Sequence, residues 1–197
     1  QVVPGKAHPR LWVTPESLPQ VRANLTAPEN CAAWEFIRRE AAKPVAFKAD
    51  PGREVTPEPA VLKAAANKAF VFLMGGGRER GREAAELAGS YLAHVSFGNM
   101  LDVARELGET IYLSSLVYDW CYELLTPAER KFFREKLLEF ADGMEIGWPP
   151  FRQPVTNGHG NEAQLNRDLL AMGIAFYGED DEPYRYCAYR LFEELIP

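Results

Sequence analysis

The feature that most limits the fold of this chain is its punctuation. Apolar residues recur at helical spacing between prolines and glycines, and no segment alternates apolar and polar residues between turn signals. The pattern predicts an all-α protein with strands few or absent. Thr14-Pro15 reads as a helix cap with proline in the first turn, where its missing N–H costs nothing, and Leu18, Val21 and Leu25 follow at helical spacing. A second helix is expected over 29–43, before Pro44. Residues 61–74 are alanine-rich and apolar on most faces, as in a buried helix, and Gly75-Gly76-Gly77 stops it. That run lacks the preceding strand and the Gly-Lys-Ser/Thr ending of a phosphate loop.

Helices over 78–95 and 103–124 make the next pair. Thr126-Pro127-Ala128-Glu129 is a capping box with proline at the first helical position, opening a helix through Phe140. Further helices are expected over 159–176 and 182–196. Residues 1–13 read as an extended lead-in, and 14–197 as one helical unit of about eight helices in successive antiparallel hairpins. Spacing alone leaves toroid, solenoid and bundle open. Residues 46–59, rich in proline, glycine and charge, form the one long loop, a rim or lid.

With 197 residues, 47% hydrophobic and 25% charged, the chain has the make-up of an ordinary globular unit that buries a real core. No window reaches the roughly 20 uninterrupted apolar residues of a membrane span. A net charge of −6 speaks against a nucleic-acid binder. Neither membrane nor nucleic acid is therefore an expected partner. Cys31, Cys121 and Cys187 stand at wide spacings that fit neither a disulfide framework nor a paired-cysteine metal site, so free, mostly buried thiols are expected. A start at Gln1 reads as a mature or trimmed chain from which an export signal or an upstream segment has been removed, and a periplasmic or secreted protein is the expectation. The last helix is amphipathic to its end, so the natural chain is expected to continue.

Three histidines can be weighed singly. His8, in the lead-in, reads as structural, and His94 lies near a helix C-terminus, where the helix dipole favours it. His159 differs. It stands between glycines in Asn157-Gly158-His159-Gly160-Asn161-Glu162, where a proline-rich loop turns into a helix. Glycines allow close approach of a ligand, and a helix N-terminus favours the neutral ring, which accepts a proton near neutral pH. Glu162, three residues on, shares its helix face. The pair suits proton transfer, and equally suits local capping. A zinc site is the weaker reading, because the spacing is not His-Glu-x-x-His and no third ligand is evident. Arg105 and Arg167 offer guanidinium forks for a carboxylate or sulfate, or simply ion-paired helix positions. Tyr118, Trp120, Tyr122 and Trp148 are aromatic residues for sugar stacking or for the core.

His8-Pro9-Arg10-Leu11, Val117-Tyr118-Asp119-Trp120-Cys121-Tyr122 before the Thr-Pro-Ala-Glu-Arg helix, and the run from Gly147-Trp148-Pro149-Pro150 through Gly158-His159-Gly160-Asn161-Glu162 to Arg167-Asp168-Leu169-Leu170 together resemble the heparinase II-like polysaccharide lyases. The resemblance implies that this chain is the amino-terminal, incomplete part of an α/α toroid followed by β-sandwich domains. It implies cleavage of uronate-containing glycosaminoglycans, heparin or heparan sulfate-like, by β-elimination. The family's catalytic His and Glu fall on His159 and Glu162, and a substrate-side arginine on Arg105. Asn157, in the same motif, is the second substrate-binding candidate. A tyrosine and a second histidine of the family fall beyond Pro197, as does a structural zinc, so no cofactor is expected within these residues. The expected partner is an anionic polysaccharide, and a homodimer is compatible with the family. A non-catalytic carbohydrate-binding helical domain and a related uronate epimerase or hydrolase stand as the alternatives.

Overall fold

The computed structural model describes residues 2–45, 47, 52, 54–98, 103–144 and 164–196. These residues are all-α. Eight helices follow one another: α1 (Leu18–Asn24), α2 (Pro28–Ala42), α3 (Pro59–Leu73), α4 (Arg78–His94), α5 (Val103–Trp120), α6 (Pro127–Asp142), α7 (Leu170–Phe176) and α8 (Glu182–Tyr189). Wider π-helical turns lead into α7 (Gln164–Leu169) and out of α8 (Arg190–Leu195). The only pairing of strand type among the described residues is an isolated bridge between Val55 and Val95.

Proline sets most helix starts. It occupies the first or second position of α1, α2, α3, α6 and α8, where a fixed φ is helical and no donor is lost. The capping box at α6 forms in full: Thr126 Oγ1 accepts from the Glu129 amide at 3.2 Å, and Glu129 Oε2 accepts from the Thr126 amide at 2.7 Å. Arg82 also donates to Glu129, and this pairing holds the Glu129 carboxyl down at about 2. The glycine run ends α3 as its sequence predicts, with Gly75 and Gly77 at φ 100° and 92°, where a side chain would be strained.

α3 and α5 build the core. Eight of the 15 residues of α3 are buried, and twelve of the 18 in α5. α3 packs on α2, α4 and α5, while α5 also packs on α6, α7 and the turn before it. Fully buried side chains such as Leu62, Ile111, Leu137 and Met172 each contribute about 2 kcal/mol to this core. The four-residue connection from Met74 to Gly77 returns α4 along α3 as a hairpin.

Basic side chains close several helix C-termini from other elements, where the carbonyls lack intrahelical partners. Arg22 donates to the Leu73 carbonyl at 2.6 Å, Lys68 to Ala41 at 2.8 Å, and Arg10 to Tyr177 at 2.6 Å.

Helix bounds change at α1 and α5, and two further segments are tied into the fold. α1 starts at Leu18 and not at Thr14-Pro15, because Thr14 and Ser17 bond each other's amides through their hydroxyls and form a separate turn. The helix expected over 103–124 ends at Trp120 and continues as a 3₁₀ turn, Tyr122–Leu124. The extended lead-in brings Leu11 and Val13 into the core. The described end of the long loop is tied down, with the Val55 amide on the His94 carbonyl at 2.9 Å and the Glu58 amide on Tyr91 Oη at 2.9 Å. Cys121 and Cys187 are buried free thiols, both pushed up by burial, while Cys31 is exposed.

Candidate active site

His159, Glu162 and Asn157 lie outside the described residues, as does Trp148. Arg105 is described: it is exposed, in the first turn of α5. The geometry available is that of the frame on either side of 145–163.

Both sides of that frame meet α5 at Gly108, one turn beyond Arg105. A Cβ added at 108 would lie 2.1 Å from Oδ2 of Asp168 and 3.4 Å from Cε of Met144. Met144 is the last described residue before the segment, and Asp168 sits in the Gln164–Leu169 turn that follows it. Only glycine admits the carboxylate this close to the helix. The turn is π-helical, a wide-hydrogen-bond geometry found often at functional sites.

Asp168 is fully buried, and burial pushes its carboxyl above the usual carboxylate range despite the neighbouring Arg167. Arg167 grips both carboxylate oxygens, through Nε on Oδ1 and Nη2 on Oδ2, the latter at 3.2 Å. The guanidinium, half exposed, lies 5.3 Å from the ring centroid of Tyr112, on the same stripe of α5 as Arg105 and Gly108. A desolvated carboxylate, an arginine fork and a second exposed arginine thus lie along the amino-terminal half of α5. Of this set the guanidinium groups are of the kind that offsets the carboxylate or sulfate of an anionic ligand.

A concavity of about 900 Å³ opens at the other end of α5, between the lead-in and the C-termini of α3 and α7. There His8 Nδ1 lies 2.6 Å from Asp119 Oδ1, and since a carboxylate only accepts, Nδ1 carries the proton. Asp119 Oδ2 accepts from the amides of Arg10 and Leu11, each at 2.8 Å. The His8 ring stacks on Tyr122 with centroids 3.7 Å apart. A His–Asp pair in a hollow resembles a catalytic base, but the buried members are engaged in holding the lead-in and closing helices. His8 is structural here, in keeping with its sequence reading. His94 closes α4 through its own Ser90 carbonyl at 2.8 Å.

Two of the aromatic candidates lie in the core. Tyr118 is fully buried, and Trp120 is buried with its indole donating to the Leu11 carbonyl at 3.0 Å. The aromatic residue that sequence reasoning passed over is Trp12, which is 77% exposed and donates to Tyr112 Oη at 2.9 Å. Its signal was faint: a tryptophan in a stretch without period. Among the described residues there is no cluster of three or more His, Cys, Asp or Glu able to hold a metal ion, and no helix long and apolar enough to cross a membrane. No model of a known protein family matches this chain, and no curated protein matches it.

Proposed function

We propose that the chain is the amino-terminal part of a heparinase II-like polysaccharide lyase, its helices forming the first part of an α/α toroid, acting outside the cytoplasm on uronate-containing glycosaminoglycans. Support comes from the three motif stretches of the sequence and from the all-helical fold. The single structural observation in its favour is the meeting of Met144 and Asp168 on Gly108. Both flanks of the segment that carries His159 and Glu162 lie against α5, one turn from exposed Arg105.

The chemistry accounts for the residue types. Removing the C5 proton of a uronate is hard while its carboxylate keeps full charge, so a protonated acid or an arginine must offset that charge. Glu162, held protonated, and Arg105 fill these roles, and Asn157 adds a donor. His159 takes the C5 proton of one uronate epimer. The electron pair forms the C4–C5 double bond, the C4–O4 bond breaks, and an acid protonates the departing O4. The tyrosine and second histidine that the resemblance implies would complete the set from beyond Pro197.

The test uses the full-length protein with heparin, heparan sulfate and chondroitin, reading the ultraviolet absorbance of the unsaturated product. His159→Ala is expected to lower turnover on at least one uronate epimer by at least about a hundredfold, the usual contribution of a general base, with an unchanged thermal melt. Absence of product from every uronate polymer removes the lyase reading. Undiminished turnover by His159→Ala removes the residue assignment.

A further inference from the structure

We infer that Trp12 is a stacking subsite for one sugar ring of an anionic saccharide chain, set beside the stripe of α5 that begins at Arg105. The inference rests on the proposed action on anionic polysaccharides and adds to it a residue and a place. Trp12 stands between two core residues, Leu11 and Val13, yet its own side chain is 77% exposed. Its backbone has φ 64°, the left-handed region in which glycine or asparagine fits and a bulky side chain is strained. A fold seeking only stability has no use for a strained backbone that carries an indole into water.

The indole is held in place before any ligand arrives. Its Nε1–H donates to Tyr112 Oη at 2.9 Å, the Tyr112 ring lies 5.3 Å from the Arg167 guanidinium, and Arg167 is gripped by buried Asp168. An exposed aromatic face whose polar edge is hydrogen-bonded is what the apolar C–H face of a pyranose stacks on. The neighbouring charge selects an anionic ring. Arg167 uses Nε and Nη2 on Asp168, and its half-exposed guanidinium carries further N–H donors of the kind a carboxylate or sulfate accepts from. The acid on this stripe, Glu109, is offset by Lys63 at 2.9 Å.

Arg105, Glu109 and Tyr112 lie at i, i+4 and i+7, a stripe rising roughly 10 Å along the helix. A chain lying from Arg105 to Trp12 therefore spans more than one ring, and the subsite matters for long oligosaccharides and not for the shortest.

The experiment measures binding of heparan sulfate oligosaccharides of graded length to the full-length protein by calorimetry, with KM for elimination alongside. Trp12→Ala is expected to weaken binding of the longer oligosaccharides about tenfold, Trp12→Phe less, and the shortest oligosaccharide not at all, with an unchanged melt. Unchanged affinity for long chains overturns the subsite. So does a melt lowered by several degrees, since the indole would then be packed in the full chain, and so does a wild-type protein that binds no oligosaccharide. Trp12-dependent binding without unsaturated product removes the elimination reading and leaves the subsite standing. Product formed with wild-type KM by Trp12→Ala does the reverse.

Discussion

Each end of α5 holds an aspartate with a fully buried side chain, Asp119 at its carboxyl end and Asp168 against its amino-terminal half, and their surroundings differ. Asp119 is saturated: His8 Nδ1 and the amides of Arg10 and Leu11 fill its two oxygens at 2.6–2.8 Å. Two of those donors are backbone, so this carboxylate exists to fasten the lead-in. Among the described residues Asp168 is held by one half-exposed arginine, pressed on a glycine, and pushed by burial toward its neutral form. Burial is the same at both ends, and the donor set is what separates a joint of the fold from a group of the kind that marks functional sites. The exposed residues follow the same division, with Arg105 and Trp12 both lying on the Asp168 side through the stripe that ends at Tyr112.

The largest effect expected from this contrast is at the joint. Asp119→Ala strands three donors, each costing about 1–3 kcal/mol when buried without a partner, and should destabilise the protein by about 3–5 kcal/mol in urea or thermal unfolding. A loss below about 1 kcal/mol would mean that water replaces the carboxylate and that the lead-in is not fastened there. Next comes Gly108→Ala. Alanine gains about 1 kcal/mol of helix propensity, but its Cβ would lie 2.1 Å from Asp168 Oδ2, so the carboxylate must leave its place. A net cost of about 1–2 kcal/mol is expected, relieved when Asp168→Ala is added, because the two positions couple by contact. An unrelieved double variant would show that the glycine serves the helix and not the aspartate.

The sequence carried the local signals well. The capping box at Thr126 with Pro127 in the first turn, the glycine stop after α3 and the burial of 61–74 all depend on neighbours within a turn or two, which periodicity reads directly. Arg105 was legible as an exposed residue at a helix start for the same reason. What was hidden is non-local. His8 is explained by Asp119, 111 residues away, and Asp168 by a glycine on another helix. Trp12 stands exposed between two core residues in a stretch without period, so composition gave no hint that an indole would point outward. The delayed start of α1 is a local miss: reciprocal Thr14–Ser17 bonds compete with the first helical turn, as these residue types commonly do.

The smallest effect is the sharpest test of the contrast. Asp168→Asn keeps the volume and leaves a carbonyl oxygen for Arg167, and a site that disfavours a charged carboxylate accepts a neutral amide readily. At neutral pH the change in stability should stay below about 1 kcal/mol, far from the cost at Asp119. The pH dependence carries the sign. A folded-state value above the ordinary 3.8 means that the folded protein holds this proton when the unfolded chain has lost it. Stability from Asp168 is therefore fully present below 3.8, falls as pH rises from there through the folded-state value, and is level above it. Asn does not titrate, so the stability of the wild type minus that of Asp168→Asn should fall over that window in urea unfolding. If the difference instead rises with pH, the ion pair with Arg167 outweighs burial, and Asp168 is a joint of the fold in the same sense as Asp119.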